Sequence, residues 1–364
     1  MKYEGTVLLP IAGRSSRFPG TRPKWMLTTP TGRMLLEEAL STIADWRRRR
    51  VVIGALKPHL EELGGEKAIR LALGDSPEIV LFPDVTSGPA ETVARMIEAA
   101  GVEGPIFIKD CDSWFQVDSN VFDNVICIAD LRNNSHVTNI PGKSFVKMDE
   151  QTLVTGILEK IVCSNYISVG GYGFDDSARF LESFKEISRF RFQTEPFISH
   201  IITESMKQGR TFKTAMVRNY VDVGTLEAWH AFREKFTVYV IDLDGVVIKN
   251  AGQYSEPLWS DADTPIIENV EALRHLQKEG AQFVFMTARP KKFAEKTEQF
   301  LLEHKLEWLS IVYGVNHARR VLINDFAPSN PFPSAVAVNL PRNSPTLESL
   351  LFPALSSANK TSTP

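Results

Sequence analysis

Short apolar runs alternate with longer amphipathic stretches through the first part of this 364-residue chain. The apolar runs suit buried strands, and they are Val7–Leu9, Val51–Ile53, Ile79–Phe82, Ile106–Ile108 and Val125–Ala129. Two amphipathic stretches between them, Leu35–Trp46 and Ala90–Ala100, resemble helices. Parallel strands need crossover connections, which are usually helices, and they are commonly apolar on both faces. The alternation therefore predicts an α/β fold with a doubly wound sheet.

The pattern starts again near residue 236 with the apolar strand Val238–Ile241. Predicted helices follow at Ile266–Glu279 and Phe293–His304, and predicted strands at Phe283–Met286 and Val321–Ile323. The chain is also longer than the roughly 100–200 residues that a single domain usually has. We therefore expect two α/β domains, at 1–235 and 236–353, with their boundary in Ala231–Phe236 and a flexible tail at 354–364.

The composition is typical of a soluble globular protein, with 43% hydrophobic and 23% charged residues. A net charge of -3 does not suggest a surface that coats nucleic acid. The sequence has no run of about 18 apolar residues and no recognisable secretory leader. Its three cysteines form no Cys-x-x-Cys pair, which disfavours a disulfide framework and a zinc site. We expect a cytoplasmic protein without nucleic-acid or membrane partners, and a homo-oligomer is compatible with the sequence.

A loop of small residues follows the first predicted strand. Its small residues are Ala12, Gly13, Ser15 and Ser16. A turn of this kind can direct backbone N–H groups at phosphate, and Arg17 and Lys24 would add positive charge. The alternative is an ordinary surface turn, because the loop lacks the Gly, Lys and Ser/Thr spacing of a Walker motif.

Two acids, Asp110 and Asp112, follow the predicted strand Ile106–Ile108. Open α/β sheets bind ligands at the carboxyl ends of their strands, and Mg²⁺ prefers oxygen ligands. The position therefore suits a magnesium site, although paired aspartates are also common in ordinary loops.

Several segments resemble the sugar-1-phosphate nucleotidylyltransferase family and occur in the order of that family. The opening family motif is Ala-Gly-x-Gly-x-Arg-Phe followed by Pro-Lys, and the matching residues are Ala12, Gly13, Arg17, Phe18, Pro23 and Lys24. Ser15 replaces the second glycine of this motif. The segment Asp222–Thr225 resembles a late Asp-x-Gly-Thr motif. The resemblance implies a Rossmann-like, GT-A-like mixed sheet that binds a nucleoside triphosphate and a sugar phosphate.

The same resemblance assigns roles to further residues. Mg²⁺ would be bound by Asp222 together with at least one of Asp110 and Asp112. The residues that it assigns to nucleotide or sugar binding are Gly88, Glu91, Glu159, Lys160 and Gly171. Glu159 would accept hydrogen bonds from sugar hydroxyls, and Lys160 would hold the sugar phosphate. The alternatives are a helix cap around Gly88, a solvated strand edge at Glu159 and a bulge at the glycines.

The stretch Val238–Val247 resembles the first motif of the haloacid dehalogenase superfamily. A strand there presents Asp242 and, two residues later on the same side, Asp244. The resemblance implies that Asp242 is a nucleophile and Asp244 a general acid/base. A calcium loop is the alternative, but the later acids of an EF-hand are missing.

Further residues extend this second resemblance. Thr287 and Arg289 would bind the phosphoryl group, and Asp325 would join Asp242 and Asp244 in binding Mg²⁺. The basic residue of the family is not evident, and its candidates are Lys291, Lys292, Arg319 and Arg320. Little sequence separates Gly245 from the helix near Ile266, which leaves no room for a large cap domain.

Two functional hypotheses follow. The first is a bifunctional, magnesium-dependent enzyme of nucleotide-sugar biosynthesis, with a nucleotidyltransferase domain and a phosphatase domain. The second is a single-activity nucleotidylyltransferase whose C-terminal domain is a regulatory, binding or assembly module. A non-catalytic nucleotide sensor is disfavoured because Arg17, Lys24 and Asp222 are all present.

Overall fold

The computed structural model describes residues 5–19, 21–134, 137–189, 195–250, 263–323 and 335–351. The chain divides into two compact units, Met1–His230 and Ala231–Pro364. Among the described residues, no helix combines the length and the apolar character that a membrane span requires. The three cysteines of the chain are free thiols.

The first unit is built on a mixed sheet. The strands of this unit are β1 (Thr6–Pro10), β2 (Arg50–Leu56), β3 (Glu78–Phe82), β4 (Ile106–Lys109), β5 (Ser113–Gln116), β6 (Val125–Asp130), β7 (Ser144–Met148), β8 (Val154–Glu159), β9 (Tyr166–Phe174), β10 (Lys213–Met216) and β11 (Arg218–Asp222). Strands β5 and β11 form a separate two-stranded sheet. The main strand order is β10-β6-β9-β4-β1-β2-β3, with β7 joining β8 to β9. Strand β1 runs parallel to β2 and β4, whereas β9 runs antiparallel to β4 and β6. The predicted α/β fold with a mixed sheet is confirmed.

Helices lie between these strands, and the last helix follows β11. They are α1 (Leu35–Ser41), α2 (Lys57–Glu61), α3 (Gly65–Leu73), α4 (Pro89–Ala99), α5 (Ser177–Ser188), α6 (Ile198–Lys207) and α7 (Leu226–Glu234). Side chains alternate between two apolar clusters along β1, where Val7 and Leu9 belong to one and Leu8 to the other. The sheet therefore buries both of its faces at β1, which is why this strand is a continuous apolar run.

The five strand predictions for this unit are confirmed in β1, β2, β3, β4 and β6, and the predicted helix Ala90–Ala100 corresponds to α4. The predicted helix Leu35–Trp46 is too long, because α1 ends at Ser41. The Ser41 hydroxyl donates to the Glu38 carbonyl at 2.5 Å, and Asp45 has a left-handed φ of +53°. These local features turn the chain before Trp46.

The second unit contains a parallel sheet in the order β12 (Val238–Asp242), β13 (Gln282–Met286) and β14 (Ser310–Val312). Its described helices are α8 (Ile267–Glu279), α9 (Ala294–Glu303) and α10 (Leu347–Leu351). Apolar side chains of β12, β13, α8 and α9 form one core cluster. The predicted strands Val238–Ile241 and Phe283–Met286 are confirmed, as are the two predicted helices apart from small shifts at their ends.

The predicted strand Val321–Ile323 is wrong, and Ser310–Val312 is the third strand of the described sheet. Val321 and Ile323 are 68% and 89% exposed and lie in irregular structure. An apolar triplet is too short for its hydrophobic pattern to identify a strand. A strand also needs a neighbouring strand with which its backbone N–H and C=O groups can form hydrogen bonds.

Candidate functional site

The candidate site of the first unit lies where β1 and β4 end. These two strands are parallel neighbours, so their carboxyl ends meet at one edge of the sheet. The loop after β1 carries Arg17 and Lys24, and the turn after β4 carries Asp110 and Asp112. The fold thus brings the two sequence motifs together, as expected for an open α/β sheet.

Asp112 and Asp222 form a pair of carboxylates. Strand β11 pairs with β5 so that Asp222 lies opposite Ser113, and the Val223 N–H donates to the Asp112 carbonyl at 2.9 Å. A Cβ placed on Gly224 would lie 3.1 Å from Asp112 Oδ2 and 3.2 Å from Asp222 Oδ1. Gly224 therefore leaves open the space that both carboxylates border. We name Asp112 and Asp222 the acid pair.

Three basic side chains contact the acid pair. Lys24 Nζ lies 2.5 Å and Arg17 Nη2 3.5 Å from Asp112 Oδ2. Lys143 Nζ contacts Asp222 Oδ2. Burial alone would raise the pKa of Asp112, but the positive charges of Lys24 and Arg17 outweigh it and hold that pKa well below its usual range. Asp112 is thus an ionised carboxylate in a strongly positive environment.

Lys24 shows the reciprocal effect. Burial by itself would lower the pKa of Lys24, and the charge of Asp112 more than offsets that effect, so the pKa is raised. Lys24 therefore carries its positive charge throughout the physiological pH range.

Asp110 has a different environment. Its N–H donates to the Gly170 carbonyl at 2.9 Å, and a Cβ on Gly170 would lie only 2.6 Å from Asp110 Oδ2. Burial and the nearby charge of Asp112 raise the pKa of Asp110. Between the two acids that the sequence left open, Asp112 is the one that shares the space beside Gly224 with Asp222.

The acid pair has the chemistry of a magnesium site. Within the described part of the chain, no group of three or more His, Cys, Asp or Glu side chains is arranged to hold a metal ion. Mg²⁺ commonly uses one or two protein carboxylates and completes its shell with water and substrate phosphates. Asp112 and Asp222 meet that requirement, with substrate oxygens needed for the remaining positions.

The small-residue loop has an unusual backbone at Ser15. Its φ is +51°, in the left-handed region that favours glycine, so the serine keeps a conformation suited to the glycine that it replaces. The Lys24 N–H donates to the Ser15 hydroxyl at 3.1 Å, and the Phe18 N–H donates to the Ser15 carbonyl at 2.8 Å. The hydroxyl thus joins the loop to the Pro23–Lys24 segment. Ala12 is buried, whereas Gly13 and Ser16 are exposed.

Glu159 ends β8 and lies between two hydroxyl groups. Ser144 and Ser199 both donate to Glu159 Oε2, the latter at 2.8 Å. Lys160 has a left-handed φ of +57°, and its ammonium lies 4.6 Å from the centre of the Phe197 ring. Strained backbone of this kind is often found at binding sites. Glu159 thus has two defined hydroxyl donors, whereas Lys160 is exposed and its ammonium lies over an aromatic ring.

The glycines of β9 face different surroundings. A Cβ on Gly171 would meet Phe115 and Phe107 at 2.8 and 3.0 Å, so this position borders the apolar core. Gly170, with a φ of +77°, is the glycine that borders Asp110. Gly171, which was predicted to bind sugar, therefore packs against apolar side chains. Its neighbour Gly170 is the residue that lies against Asp110.

Gly88 and Glu91 have structural partners at the start of α4. A Cβ on Gly88 would come within 2.7 Å of Pro196, so glycine permits a close approach of two chain segments. Glu91 accepts hydrogen bonds from the Ser87 N–H and hydroxyl and contacts Arg95. These contacts match the helix-cap alternative and occupy the Glu91 carboxylate.

Two lysines of this site were not predicted from the sequence. Lys143 belongs to no recognised motif, and the sequence separates it from Asp222 by 79 positions. Lys109 ends the apolar strand β4 and is fully buried. A lysine at the end of a buried strand is itself a signal, because such a charge needs specific partners.

The second unit brings Asp242, Asp244 and Thr287 to one strand edge. Asp242 ends β12 opposite Met286 in β13, and Thr287 follows directly. The buried Thr287 hydroxyl donates to Asp244 Oδ2 at 2.7 Å. The edge lies at the carboxyl ends of parallel strands, as expected for a ligand site.

Arg289 is held by two carboxylates. Its buried guanidinium donates to Asp244 Oδ1 from Nε and Nη2 at 3.0 and 2.8 Å, and to both oxygens of Asp263 at 2.8 Å. Burial alone would lower the pKa of Arg289, but its bonds to Asp263 and Asp244 raise it. The predicted phosphate-binding Arg289 thus has carboxylate partners, and sequence reasoning did not identify Asp263.

Asp242 is half-exposed, and one of the candidate basic residues, Arg320, lies close to it. Arg320 Nη2 lies 3.9 Å from Asp242 Oδ1. Burial raises the pKa of Asp242, and the charge of Arg320 opposes that rise. The predicted metal ligand Asp325 lies outside the described residues, as does most of the segment between Asn250 and Thr264.

Comparison with known proteins supports the fold of the N-terminal region. No protein-family model matches the chain, and no curated protein does. A solved nucleoside-diphosphate-sugar pyrophosphorylase from Vibrio cholerae RC9 matches with a TM-score of 0.53 and 22% identity, covering 62% of this chain and 98% of that one. A putative glucose-1-phosphate thymidylyltransferase from Bacillus anthracis, in complex with a sucrose, matches with a TM-score of 0.50 and 17% identity, covering 63% and 92%. The N-terminal region therefore has a nucleotidyltransferase-like α/β fold.

Proposed function

We propose that the first unit, as the domain 1–235, transfers a nucleotidyl group from a nucleoside triphosphate to a sugar 1-phosphate. The observation that carries this proposal is the acid pair with Lys24 and Arg17 at the carboxyl edge of the sheet. The names of the matching structures, a pyrophosphorylase and a thymidylyltransferase, describe chemistry of this kind for those proteins. The reaction would serve nucleotide-sugar biosynthesis.

In the proposed reaction, a phosphate oxygen of the sugar 1-phosphate attacks the α-phosphorus of the triphosphate. The bond from that phosphorus to the oxygen that bridges to the β-phosphate breaks, and pyrophosphate leaves with the electron pair. Arg17 and Lys24 stabilise the negative charge on the leaving group. Bound Mg²⁺, held by Asp112 and Asp222, would supply further charge neutralisation.

The remaining residues position the substrates. The loop with Ala12, Gly13, Ser15 and Ser16 would receive the phosphates, and Glu159 would accept hydrogen bonds from the sugar. Both Glu159 donors, Ser144 and Ser199, bind Oε2, so Oε1 is the oxygen that we assign to the sugar hydroxyls. Lys160, beside Glu159, would contribute positive charge near the sugar phosphate.

The test is pyrophosphate release from a matrix of nucleoside triphosphates and sugar 1-phosphates, with products identified by mass spectrometry. We expect at least one pair to react in the presence of Mg²⁺ and Asp222→Asn to abolish that reaction. Asp118→Asn is the matched control, because Asp118 is an exposed carboxylate paired with Arg218 of β11. Absence of product from every pair, with a folded wild-type protein, would refute the proposal.

We also propose that the second unit, as the domain 236–353, hydrolyses a phosphate monoester. Asp242 would attack phosphorus to form an aspartyl-phosphate, while the leaving oxygen takes a proton from Asp244, and water would then release inorganic phosphate. The main support for this proposal is that Asp242, Asp244 and Thr287 lie at the same edge of the sheet. Mg²⁺ bound by Asp242, Asp244 and Asp325 would neutralise the phosphate charge.

A regulatory, binding or assembly role for this unit is the second candidate, and the contacts of Asp244 favour it. Both Asp244 oxygens already accept hydrogen bonds, from Arg289 and from Thr287. Neither oxygen of Asp244 is therefore without a protein partner in this arrangement. Magnesium-dependent hydrolysis of a generic phosphate ester, lost in Asp242→Asn, would support the phosphatase, whereas equal rates in both proteins would support the second candidate.

A further inference from the structure

Lys143 occupies a position between the acid pair and the predicted sugar-binding residues. It follows the 3₁₀ turn Ile140–Gly142 and directly precedes β7. Its ammonium contacts Asp222 Oδ2, and the Lys143 and Asp222 side chains are 16% and 9% exposed. The contact is therefore largely shielded from water, unlike an ordinary surface ion pair.

The residues next to Lys143 connect it to the other end of the site. The hydroxyl of Ser144 donates to Glu159, and the carbonyl of Lys143 accepts the N–H of Lys160 at 3.0 Å. Two consecutive residues, Lys143 and Ser144, thus reach Asp222 and Glu159 respectively. A sugar 1-phosphate whose hydroxyls bind Glu159 would extend its phosphate from that carboxylate towards the acid pair.

The ammonium group of Lys143 can donate hydrogen bonds to two partners at once. It has three N–H donors and no acceptor, so a bond to Asp222 leaves donors for a phosphate oxygen. Lys160 contacts the Phe197 ring instead, with its ammonium 4.6 Å from the ring centre. Lys143 is therefore the lysine that the structure places between Glu159 and the acid pair.

We propose that Lys143 binds the phosphate of the sugar 1-phosphate and holds it beside Asp222, ready to attack the α-phosphorus. This inference rests on the proposed nucleotidyl transfer and adds a residue to the acceptor side of the site. Lys143 faces the attacking substrate, whereas Lys24 and Arg17 face the triphosphate and its leaving group.

The test compares Lys143→Met and Lys143→Arg with the wild-type full-length protein. In Lys143→Met we expect KM for the sugar 1-phosphate to rise about 10- to 100-fold, the usual effect of losing one charge-assisted hydrogen bond. KM for the nucleoside triphosphate should change by less than about threefold, because its predicted contacts remain. Lys143→Arg should restore part of the lost affinity, since it keeps the charge.

Lys147→Met is the matched control, because Lys147 is an exposed lysine in β7, the strand that follows Lys143. If Lys143 only neutralised Asp222, Lys143→Met would change the Mg²⁺ concentration dependence and leave KM for the sugar 1-phosphate unchanged. That result would overturn the inference, as would a rise in KM for the triphosphate alone. If Lys143→Met does not fold, Lys143→Gln gives the same comparison.

The experiment distinguishes a failure of the proposed role of Lys143 from a failure of the proposed nucleotidyl transfer. An active wild-type protein with unchanged substrate constants in Lys143→Met refutes only the role of Lys143. A wild-type protein without transfer activity on any substrate pair refutes the proposed function itself, and the role of Lys143 with it.

Discussion

Lys109 donates a hydrogen bond from its fully buried ammonium to the hydroxyl of Ser113 at 2.9 Å. It also donates to the carbonyls of Asp110 and Ser113 at 2.7 and 2.8 Å. The turn that carries Asp110 and Asp112 is therefore folded around a buried positive charge. Burial lowers the pKa of Lys109, and the nearby charge of Asp110 opposes this effect.

Replacing Lys109 with methionine should destabilise the first unit. The variant keeps most of the side-chain length but leaves the acceptors of the turn unsatisfied, which costs about 1–3 kcal/mol for each buried group. We expect a loss of roughly 3 kcal/mol in the free energy of unfolding, measured by denaturant titration. Lys147→Met should change it by less than about 0.5 kcal/mol. Equal effects of the two substitutions would contradict the structural role of Lys109.

Ser15 combines a left-handed backbone with a hydrogen bond, and two substitutions separate these features. Ser15→Ala removes the acceptor of the Lys24 N–H but keeps the strained φ, whereas Ser15→Gly removes the acceptor and relieves the strain. The alanine variant should therefore be less stable than the glycine variant by about 1 kcal/mol. Thermal and denaturant unfolding measure the difference, and the reverse order would show that the left-handed φ is not needed.

Gly170→Ala tests the contact with Asp110. Gly170 and Gly209 both have a positive φ, at +77° and +85°, but an added Cβ meets Asp110 at the first position and no atom within 4 Å at the second. The left-handed φ should cost each alanine variant about 1 kcal/mol of stability. The contact with Asp110 should add to the loss in Gly170→Ala. Only Gly170→Ala should also lose transfer activity, by about 10- to 100-fold, because it displaces a carboxylate beside the acid pair. Equal activity losses in Gly170→Ala and Gly209→Ala would refute this interpretation.

Part of the fold could be predicted because several strands of the first unit have continuous apolar sequences. Such runs identified β1, β2, β3, β4 and β6 directly. The end of α1 could not be predicted, because it depends on a serine hydroxyl and on the left-handed Asp45. The apolar triplet Val321–Ile323 was wrongly predicted to be a strand, because apolar character alone does not provide a neighbouring strand with which it could pair.

The candidate site was predictable where its residues belong to local motifs and not where they meet only in three dimensions. Lys24 and Asp112 each lie in a motif, and the sheet brings them to 2.5 Å. The choice of Asp112 rather than Asp110 as the partner of Asp222 depends on the pairing of β5 with β11, which no local pattern encodes. Lys143 lacks a motif altogether and was missed.

Replacing Arg289 tests whether this residue neutralises the charge of two carboxylates in the second unit. Its guanidinium is bonded to Asp244 and Asp263, whose side chains are 15% and 7% exposed. Arg289→Met would leave both carboxylates without their shared partner in a poorly hydrated setting. Removing one partner of a buried ion pair costs about 3–5 kcal/mol, so we expect a loss of this size at neutral pH.

Denaturant titration of the wild type, Arg289→Met and a control variant measures this loss. The exposed Arg319 provides the control substitution Arg319→Met, which should change the free energy of unfolding by less than about 0.5 kcal/mol. Equal losses in the two variants would contradict the proposed charge balance.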